Sequence, residues 1–490
     1  MLSLHSTSIM AVILGINTHH AGASAALVVD GVPIAAIAEE RLTRIKYYAK
    51  FPARAVKTVL DMAGITFKDI DYVAIGRDDS ANTLKKAEYA LRNPGKLLSL
   101  IKIRGERTEL DDMKTLLVRE CGANPADLHF EQVNVEHHLA HAASSYFISP
   151  WEHAAAFTID GAGDFVTATL SECKGKSIEI KERVYLPHSM GFFYTMVCEF
   201  IGYSKYGDEG KVMGLAPYGK DTYHDIFEQM VILTDKGFQL NPDFFVPFGS
   251  QSNVQIQDDG SMQVASLVGE AMHKHFGDPR APNDEITQRD MDLAYGMQAT
   301  FERVYMHMLN RLHSLVPTER LTLAGGGALN SVANCKLFDQ TPFTQTAIQP
   351  AAGDDGLAMG AALYVSQAML DDGERWEITN AYFGTEYSDS EVKSALESAG
   401  ITDYQKLERD DLIEKTATAI AEGNVVGWYQ GRSEWGPRAL GNRSILANPN
   451  RDDMKDILNA RIKRREWFRP FAPAVLAERQ ADVFSHDHPS

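Results

Sequence analysis

The sequence has little cysteine and no long apolar run, and each of these absences excludes a class of protein. Its 490 residues include four cysteines, which lie far apart and form no CxxC pair. This usage fits a reducing cytoplasm and argues against a disulfide scaffold or a cysteine-rich zinc site. No apolar run reaches about 18 residues, the length that suggests a membrane-spanning helix. We therefore expect a cytoplasmic protein without a membrane span.

Secretory features and positive charge are also scarce. Met1 to Met10 contain neither a basic segment nor a long apolar segment, which argues against a usual signal peptide. We interpret residues 1–9 as a disordered leader. The 48 Lys and Arg against 66 Asp and Glu give a formal net charge of −18. Nonspecific nucleic-acid binding needs Lys and Arg to neutralise phosphates, so we expect no nucleic-acid partner, although a local basic pocket for a nucleotide remains compatible with this charge.

Two similar strand–turn–strand patterns indicate an α/β protein. One pattern covers residues 12–31 and the other residues 154–170, and each contains a glycine-bearing turn. A helix at 56–63, capped by Gly64, and a strand at 72–75 follow the first pattern. The alternation of strands and helices predicts the α/β class. The repetition predicts two related lobes around a cleft, as in actin-like and sugar-kinase-like ATPases.

A change in composition near residue 370 predicts a second domain. A chain of 490 residues is too long for one ordinary core. We place a linker at the polar stretch 370–375, which separates a domain at 10–370 from one at 371–490. The second domain begins with a helix near 411–421 and a strand at 425–429. Residues 432–469 contain ten Lys or Arg against five Asp or Glu, which favours an anionic ligand there over a merely solvated basic face.

The sharpest single motif is a pair of histidines near the middle of the first domain. His137 and His141 are spaced i and i+4, so they lie on one face of a helix and are able to ligate one ion. His138 points about 100° away and is a weaker candidate. Paired histidines are also common as surface or capping residues, which is the alternative interpretation.

Two aspartates in glycine-bearing turns strengthen the prediction of a metal site. Asp160 ends a predicted strand, and Asp354 precedes an Ala- and Gly-rich helix. Together with two imidazoles they would form a mixed nitrogen and oxygen site, which suits iron(II), manganese or zinc without distinguishing them. Turn formation or helix capping is the alternative for both, and it is the preferred interpretation of Asp355.

Two glycine-rich segments are candidates for binding a nucleotide. The turn Gly325, Gly326 and Gly327 lies between a strand at 321–324 and a helix predicted from Ala328, so its N–H groups could face a phosphate or adenosine; Asn330 follows as a further candidate. The run 207–219 carries Lys211 and predicts an irregular functional loop over a cleft, with a compact surface turn as the alternative.

The C-terminal part offers arginines for phosphate recognition. Arg432, Arg438 and Arg443 lie among tight turns, and Lys463 and Arg469 follow. Planar guanidinium groups bind phosphates in bidentate fashion. A site that brings several phosphate groups together must neutralise their negative charges, and such a cluster would do so.

Taken together, these motifs resemble the NodU/CmcH carbamoyltransferase family. The similarity extends from about Met10 to the end of the chain. It rests on these runs, of which the last two are highly specific: residues 23–27 with 30–31, 38–41, 137–141, 210–216, 353–356, 434–444 and 468–473.

The resemblance implies a two-lobed actin-like (ribonuclease-H-like) N-terminal domain, related to tRNA threonylcarbamoyl-transfer proteins, and a YrdC-like C-terminal domain. The YrdC-like domain would make carbamoyl-adenylate from ATP and carbamoyl phosphate, releasing pyrophosphate, and the N-terminal domain would transfer the carbamoyl group to a hydroxyl. Family members usually continue past the Phe-Arg-Pro-Phe motif, so we expect the YrdC-like domain to be incomplete at Ser490.

The resemblance also implies roles for individual residues. The expected metal is Fe(II), with Mg(II) accompanying ATP. Lys46 and the His19/His20 turn correspond to transfer-site residues, and we take His20 as the candidate although Gly22 replaces the family's usual acidic residue and leaves His19 open. The implied metal ligands are His137, His141, Asp160 and Asp354, and the implied contacts to carbamoyl phosphate and the adenylate are Arg438, Arg443, Lys463 and Arg469.

The predicted function is therefore O-carbamoyl transfer to a hydroxyl of a small molecule or glycan. A tRNA threonylcarbamoyl transferase is one alternative, and the acidic net charge and the covalently attached second domain weigh against it. An actin-like ATPase without transfer chemistry is the other, and the His and Asp set weighs against that. The acceptor is not readable from the sequence, and the oligomeric state stays open, a homodimer included.

Overall fold

The computed structural model describes residues 11–93, 112–246, 254–371, 373 and 375–485. The predicted leader at 1–9 and two positions of the predicted linker, 372 and 374, lie outside these residues. The chain divides into two compact units between Thr379 and Asn380. Arg375 belongs with the first unit, because its guanidinium lies 4.2 Å from the centre of the Tyr146 ring and donates to the carbonyl oxygens of Tyr146 and Ser149.

Two five-stranded sheets with the same topology form the framework of the first unit. In each, three antiparallel strands are followed by two parallel strands, in the orders β3-β2-β1-β4-β5 and β8-β7-β6-β13-β14. The α/β class and the repeated strand–turn–strand pattern are thereby confirmed. The strands of the chain are β1 Val12–Asn17, β2 Ser24–Val29, β3 Val32–Ala38, β4 Tyr72–Ile75, β5 Glu131–Asn134, β6 His153–Gly163, β7 Val166–Lys174, β8 Ser177–Tyr185, β9 Val231–Thr234, β10 Gly237–Leu240, β11 Val254–Ile256, β12 Met262–Val264, β13 Arg320–Ala324, β14 Gln345–Ile348, β15 Val426–Tyr429 and β16 Arg443–Leu446.

Helices connect and cover these sheets. The predicted helix capped by Gly64 is confirmed as α2, and Gly64 ends it at φ 65°. Within the described ranges, no helix combines the length and apolarity needed to cross a bilayer. The α-helices are α1 Glu40–Thr43, α2 Ala53–Ala63, α3 Thr83–Arg92, α4 Met113–Cys121, α5 His137–Tyr146, α6 Met190–Phe200, α7 Glu209–Leu215, α8 His224–Met230, α9 Glu270–Phe276, α10 Gln288–Leu315, α11 Ser331–Cys335, α12 Leu337–Gln340, α13 Leu357–Leu363, α14 Asp389–Ser398, α15 Arg409–Ala421, α16 Met454–Ile457 and α17 Gln480–Val483.

Helix α13 packs unusually close to its neighbours. A Cβ atom on Gly15 of β1 would lie 1.8 Å from the carbonyl oxygen of Ala358, and one on Gly360 would lie 2.0 Å from that of Ala140. Only glycine permits such approach of two backbones. These glycines therefore bring α13, which follows Asp354, against both the first sheet and helix α5.

Three local predictions were wrong. Strand β6 continues through Asp160 to Gly163, because the register shifts after Ile159 and the reversal is made instead by Asp164 and Phe165, at φ 49° and 77°. The segment 207–219 is not an irregular loop. It contains α7 and the 3₁₀ turn Ala216–Tyr218, because burial of its apolar residues outweighs its glycine content. The turn at 325–327 leads into a 3₁₀ turn at Gly326–Leu329 before the short α11.

The second unit has a small core. Trp435 and Phe468 are each 1% exposed, whereas none of the residues of α14 and α15 is buried. Strands β15 and β16 pair as an antiparallel ribbon. The helix and strand predicted near 411–421 and 425–429 are confirmed as α15 and β15.

Candidate metal centre

The start of helix α5 directs two imidazoles toward strand β6. Glu136 caps the helix by accepting a hydrogen bond from the Leu139 N–H over 2.7 Å. The carboxylate of Asp164 accepts one from the His137 N–H over 2.8 Å. A Cβ on Gly163 would lie 1.9 Å from Cγ of His137, so a side chain at 163 would displace the imidazole. The sequence pattern had not identified these supporting roles of Glu136, Asp164 and Gly163.

The four predicted ligands converge. One nitrogen or oxygen atom from each of His137, His141, Asp160 and Asp354 lies within 4.8 Å of all the others. Nε2 of His137 is 3.2 Å from Oδ2 of Asp160 and 3.6 Å from Oδ1 of Asp354. Nε2 of His141 is 3.4 Å and 3.5 Å from the same two oxygens. Residues more than 200 positions apart in sequence thus share one small volume.

The charged groups of this cluster shift one another's pKa values. Burial lowers the pKa of His141, but Asp160 and Asp354 outweigh burial and raise it to about 9. Burial raises the pKa of Asp160, yet the two histidines hold it well below its ordinary value. For Asp354, burial and Asp160 raise the pKa, whereas His20 and His141 lower it by more. The buried Asp354 and the partly buried Asp160 therefore favour positive charge between them.

The donor set fits a divalent cation. Bonds of about 2.1 Å place neighbouring ligand atoms about 3.0 Å apart at right angles and about 3.4 Å apart at tetrahedral angles, close to the nitrogen–oxygen distances above. Nε2 of His141 and Oδ1 of Asp354 are buried and have no hydrogen-bond partner among the described residues. Buried polar atoms normally have partners, and a cation would supply one for both. Two imidazoles with two carboxylates suit Fe(II), Mn(II) or Zn(II).

His20 lies beside this cluster, and its neighbour His19 does not. Nδ1 of His20 is 2.6 Å from Oδ2 of Asp354, although the direction of approach is not that of a regular hydrogen bond. His19 adopts φ 53°, bonds Thr18 Oγ1 over 2.9 Å, and lines a separate cavity of about 370 Å³. The left-handed backbone at His19 sends the two side chains to different places. Of the two histidines, His20 is therefore the one that lies beside the cluster.

The glycine turn at 325–327 holds a metal-site carboxylate. The Gly326 N–H donates to Oδ1 of Asp160 over 3.1 Å, which leaves Oδ2 facing the histidines. Asn330, predicted as a nucleotide contact, caps α11 by accepting from the Ala333 N–H and exchanges two hydrogen bonds with Gln298. These bonds engage the Asn330 amide with protein partners.

Two other predicted residues, Lys46 and Lys211, lie in a turn and on a helix. Lys46 is exposed in a turn between Arg44 and Tyr47, both of which have positive φ. The Tyr47 ring packs edge-on against Tyr206 at 5.2 Å, an aromatic pair that the sequence pattern had not indicated. Lys211 lies on α7, where its ammonium is 2.8 Å from Oδ1 of Asp208.

The predicted phosphate contacts of the second unit have different environments. Arg443 donates to four backbone carbonyl oxygens and stacks 3.5 Å from the centre of the Tyr429 ring. Arg469 is 3.7 Å from Glu466, whereas Arg438 and Lys463 are exposed. Arg443 therefore serves the local fold, and the other three are better placed to meet a ligand.

An α/β protein with a buried centre of two histidines and two aspartates is the class that fold and site define. A family model described as the carbamoyltransferase N-terminus matches residues 12–363, and one described as the carbamoyltransferase C-terminus matches residues 417–490. The chain belongs to the carbamoyltransferase family, of the NodU/CmcH type, as the sequence motifs predicted.

Individual relatives agree with this assignment. An uncharacterised protein of Synechocystis sp. is 37% identical over 493 residues, which cover 98% of this chain and 78% of that protein. Nodulation protein NolNO of Sinorhizobium fredii is 36% identical over 482 residues, covering 96% of this chain and 64% of NolNO. Full-length HypF, in a phosphate- and nucleotide-bound form, gives a TM-score of 0.36 at 12% identity and covers 76% of this chain and 57% of HypF.

Proposed function

We propose that the protein is an ATP- and carbamoyl-phosphate-dependent O-carbamoyltransferase whose acceptor is a hydroxyl of a small molecule or glycan. The observation that carries the proposal is the cluster of His137, His141, Asp160 and Asp354 beside His20, in a chain of the carbamoyltransferase family. The repeated strand topology of the first unit supports the actin-like assignment. The YrdC-like nature of the second unit and a cytoplasmic location remain part of the proposal.

The four clustered side chains would hold the metal, for which we propose Fe(II). When bound, the ion supplies Lewis-acid polarisation of the carbamoyl carbonyl. The chain itself supplies orientation: Gly326 fixes one oxygen of Asp160, and the close packing of α5 and α13 fixes the spacing between the histidines and Asp354. Fixed polar groups stabilise developing charge without reorganising during the reaction.

His20 would accept the proton of the acceptor hydroxyl as a general base. Asp354 lies at Nδ1 of His20 and would orient the ring. The other nitrogen, Nε2, is then the atom that accepts the proton as the hydroxyl oxygen attacks the carbamoyl carbon. A positioned base of this kind contributes typically 10²–10⁴-fold to rate. Lys46, exposed in its constrained turn, would contact the anionic leaving group.

The second unit would make the carbamoyl-adenylate. ATP and carbamoyl phosphate bring several negative charges together, and the exposed cations Arg438 and Lys463, together with Arg469, would offset them. Carbamoyl-adenylate carries a good leaving group, so the transfer site mainly needs to align it with the acceptor. Mg(II) would accompany ATP at this step.

Separate assays of the two half-reactions test this division. We expect Arg469→Ala or Lys463→Ala to stop pyrophosphate release while still transferring carbamoyl from pre-made carbamoyl-adenylate. We expect His141→Ala to release pyrophosphate, accumulate adenylate and form no product. The assay measures pyrophosphate and carbamoylated acceptor side by side. Equal loss of both activities in both kinds of variant, with folding intact, would overturn the two-site proposal.

A further inference from the structure

A chain of three buried polar side chains joins the histidine helix to the strand that carries Asp160. His138 and Thr158 are both fully buried, as is Thr169 on the next strand. Nε2 of His138 lies 3.0 Å from the carbonyl oxygen of Val166, and its Nδ1 lies 2.7 Å from Oγ1 of Thr158. Thr158 and Thr169 are directly paired across β6 and β7, with their hydroxyl oxygens 2.6 Å apart.

The direction of each hydrogen bond follows from the partners. A carbonyl oxygen only accepts, so Nε2 of His138 carries a hydrogen and donates to Val166. The other nitrogen of a neutral buried imidazole then accepts, so the Thr158 hydroxyl donates to Nδ1. The Thr158 hydroxyl has only one hydrogen, which it donates to His138, so the Thr169 hydroxyl donates to Thr158. The hydrogens of these three side chains therefore have one possible arrangement, which fixes the orientation of the His138 ring.

The position of His138 gives this chain its importance for the metal centre. Its ring lies beside those of His137 and His141, at centroid distances of 5.2 Å and 5.9 Å. Thr158 lies two residues before Asp160 on β6. These hydrogen bonds thus connect helix α5, which carries two ligands, to strand β6, which carries a third. They lie next to the ligands themselves.

We infer that His138, Thr158 and Thr169 are positioning residues that set the spacing between the two histidine ligands and Asp160. This inference rests on the metal centre proposed above. It also accounts for His138, whose direction made it the weaker ligand candidate in the sequence. Partners beyond the directly bound ligands typically change metal affinity by 10–100-fold when they are lost.

Cobalt(II) binding to the chelator-stripped full chain tests the inference, with the dissociation constant and the visible d–d spectrum as readouts. We expect Thr158→Val, which keeps shape and loses the hydroxyl, to weaken Co²⁺ binding at least about tenfold and to alter the spectrum. Thr158→Ser should restore both. Thr169→Val should have a smaller effect, since Thr158 still donates to His138.

Thr322→Val is the matched control. Thr322 is fully buried on β13, next to β6, and its hydroxyl has no hydrogen-bond partner within the described part of the chain. We expect this variant to bind Co²⁺ as the unmodified protein does. Melting curves of the metal-free variants monitor folding, and if Thr158→Val does not fold, the comparison of Thr169→Val with Thr322→Val decides.

The outcomes distinguish failure of the positioning role from failure of the proposed metal centre. Normal Co²⁺ affinity and spectrum in Thr158→Val and Thr169→Val, with binding abolished in His137→Ala, would overturn the positioning role and leave the metal centre standing. Equal weakening in all three Val variants would also overturn it, because loss of packing would then explain the effect. Absence of Co²⁺ binding by the unmodified chain would overturn the metal centre itself, and the inference with it.

Discussion

Gly326 and Asp160 are joined by a hydrogen bond from the glycine N–H to Oδ1 of the aspartate, 3.1 Å long. They are 166 residues apart in sequence. Asp160 lies on β6, and Gly326 follows the neighbouring parallel strand β13. The bond explains why a small residue follows β13: a Cβ on Gly326 would lie 2.9 Å from the same oxygen. A glycine turn that the sequence suggested as a nucleotide-binding site thus orients a carboxylate of the candidate metal centre.

Replacement of Gly326 by alanine tests this relationship. The added methyl group should displace the Asp160 carboxylate and lower metal affinity at least about tenfold, with little change in the melting temperature of the metal-free protein. Equilibrium dialysis with Fe(II) or Co(II) measures the affinity. Gly161→Ala is the control, because a Cβ there meets only Phe192 at 3.6 Å. Unchanged affinity in Gly326→Ala would show that the bond does not position the ligand.

His20 and His19 should differ sharply in their contribution to transfer. We expect His20→Gln to reduce carbamoyl transfer by about 10²–10⁴-fold, the range for loss of a general base, with metal content and pyrophosphate release retained. His19→Gln should keep most of the activity, because His19 bonds Thr18 and lines a separate cavity. Rates of product formation from carbamoyl-adenylate check this. Loss of transfer in His19→Gln alone would reverse the assignment.

Metal binding should release a proton at neutral pH. His141 has a pKa of about 9 in the metal-free protein, so at pH 7.5 its imidazole is protonated and must lose that proton to bind a metal. Calorimetric titrations in buffers of different ionisation enthalpy count the protons released. We expect about one from His141, and His141→Ala should release correspondingly fewer; an identical count in both proteins would contradict the raised pKa.

The same shift predicts how the stability of the metal-free protein depends on pH. The pKa of His141 is raised from 6.5 to about 9, so its contribution is fully present below pH 6.5 and is lost as the pH rises through 9. Chemical unfolding of the metal-free protein between pH 6 and 10 measures this. The decline should be smaller in His141→Ala, and an equal decline in both would assign it to other groups.

Arg443 and Arg438 should separate a structural role from a ligand-binding role. Arg443→Lys cannot replace four bonds to carbonyl oxygens, so the free energy of unfolding of the second unit should fall by about 1–3 kcal/mol. Arg438→Ala should leave unfolding unchanged and reduce pyrophosphate release, because Arg438 is exposed. Thermal melts and the pyrophosphate assay compare the two. Normal stability in Arg443→Lys would restore Arg443 as a candidate phosphate contact.

The sequence by itself determined the α/β class, the repeated strand pattern and the family, and it named the four side chains that converge in the structure. The class and the strand pattern follow from short-range signals, namely alternating apolar residues and glycines at turns. The family follows from longer motifs such as residues 434–444 and 468–473. The predicted end of β6 and the predicted loop at 207–219 were wrong. A register shift and the burial of an apolar helix face depend on neighbours that are distant in sequence.

Tertiary structure alone decided how the site is supported. It placed His20 rather than His19 beside Asp354, Gly326 beside Asp160, and Arg443 among backbone carbonyl oxygens. These contacts join segments that are far apart in the chain or lie at strained turns. Residue type gives the chemistry that a side chain is able to perform. Which partner it meets is set by packing, and packing places a hydroxyl or a carboxylate within 3 Å or beyond reach.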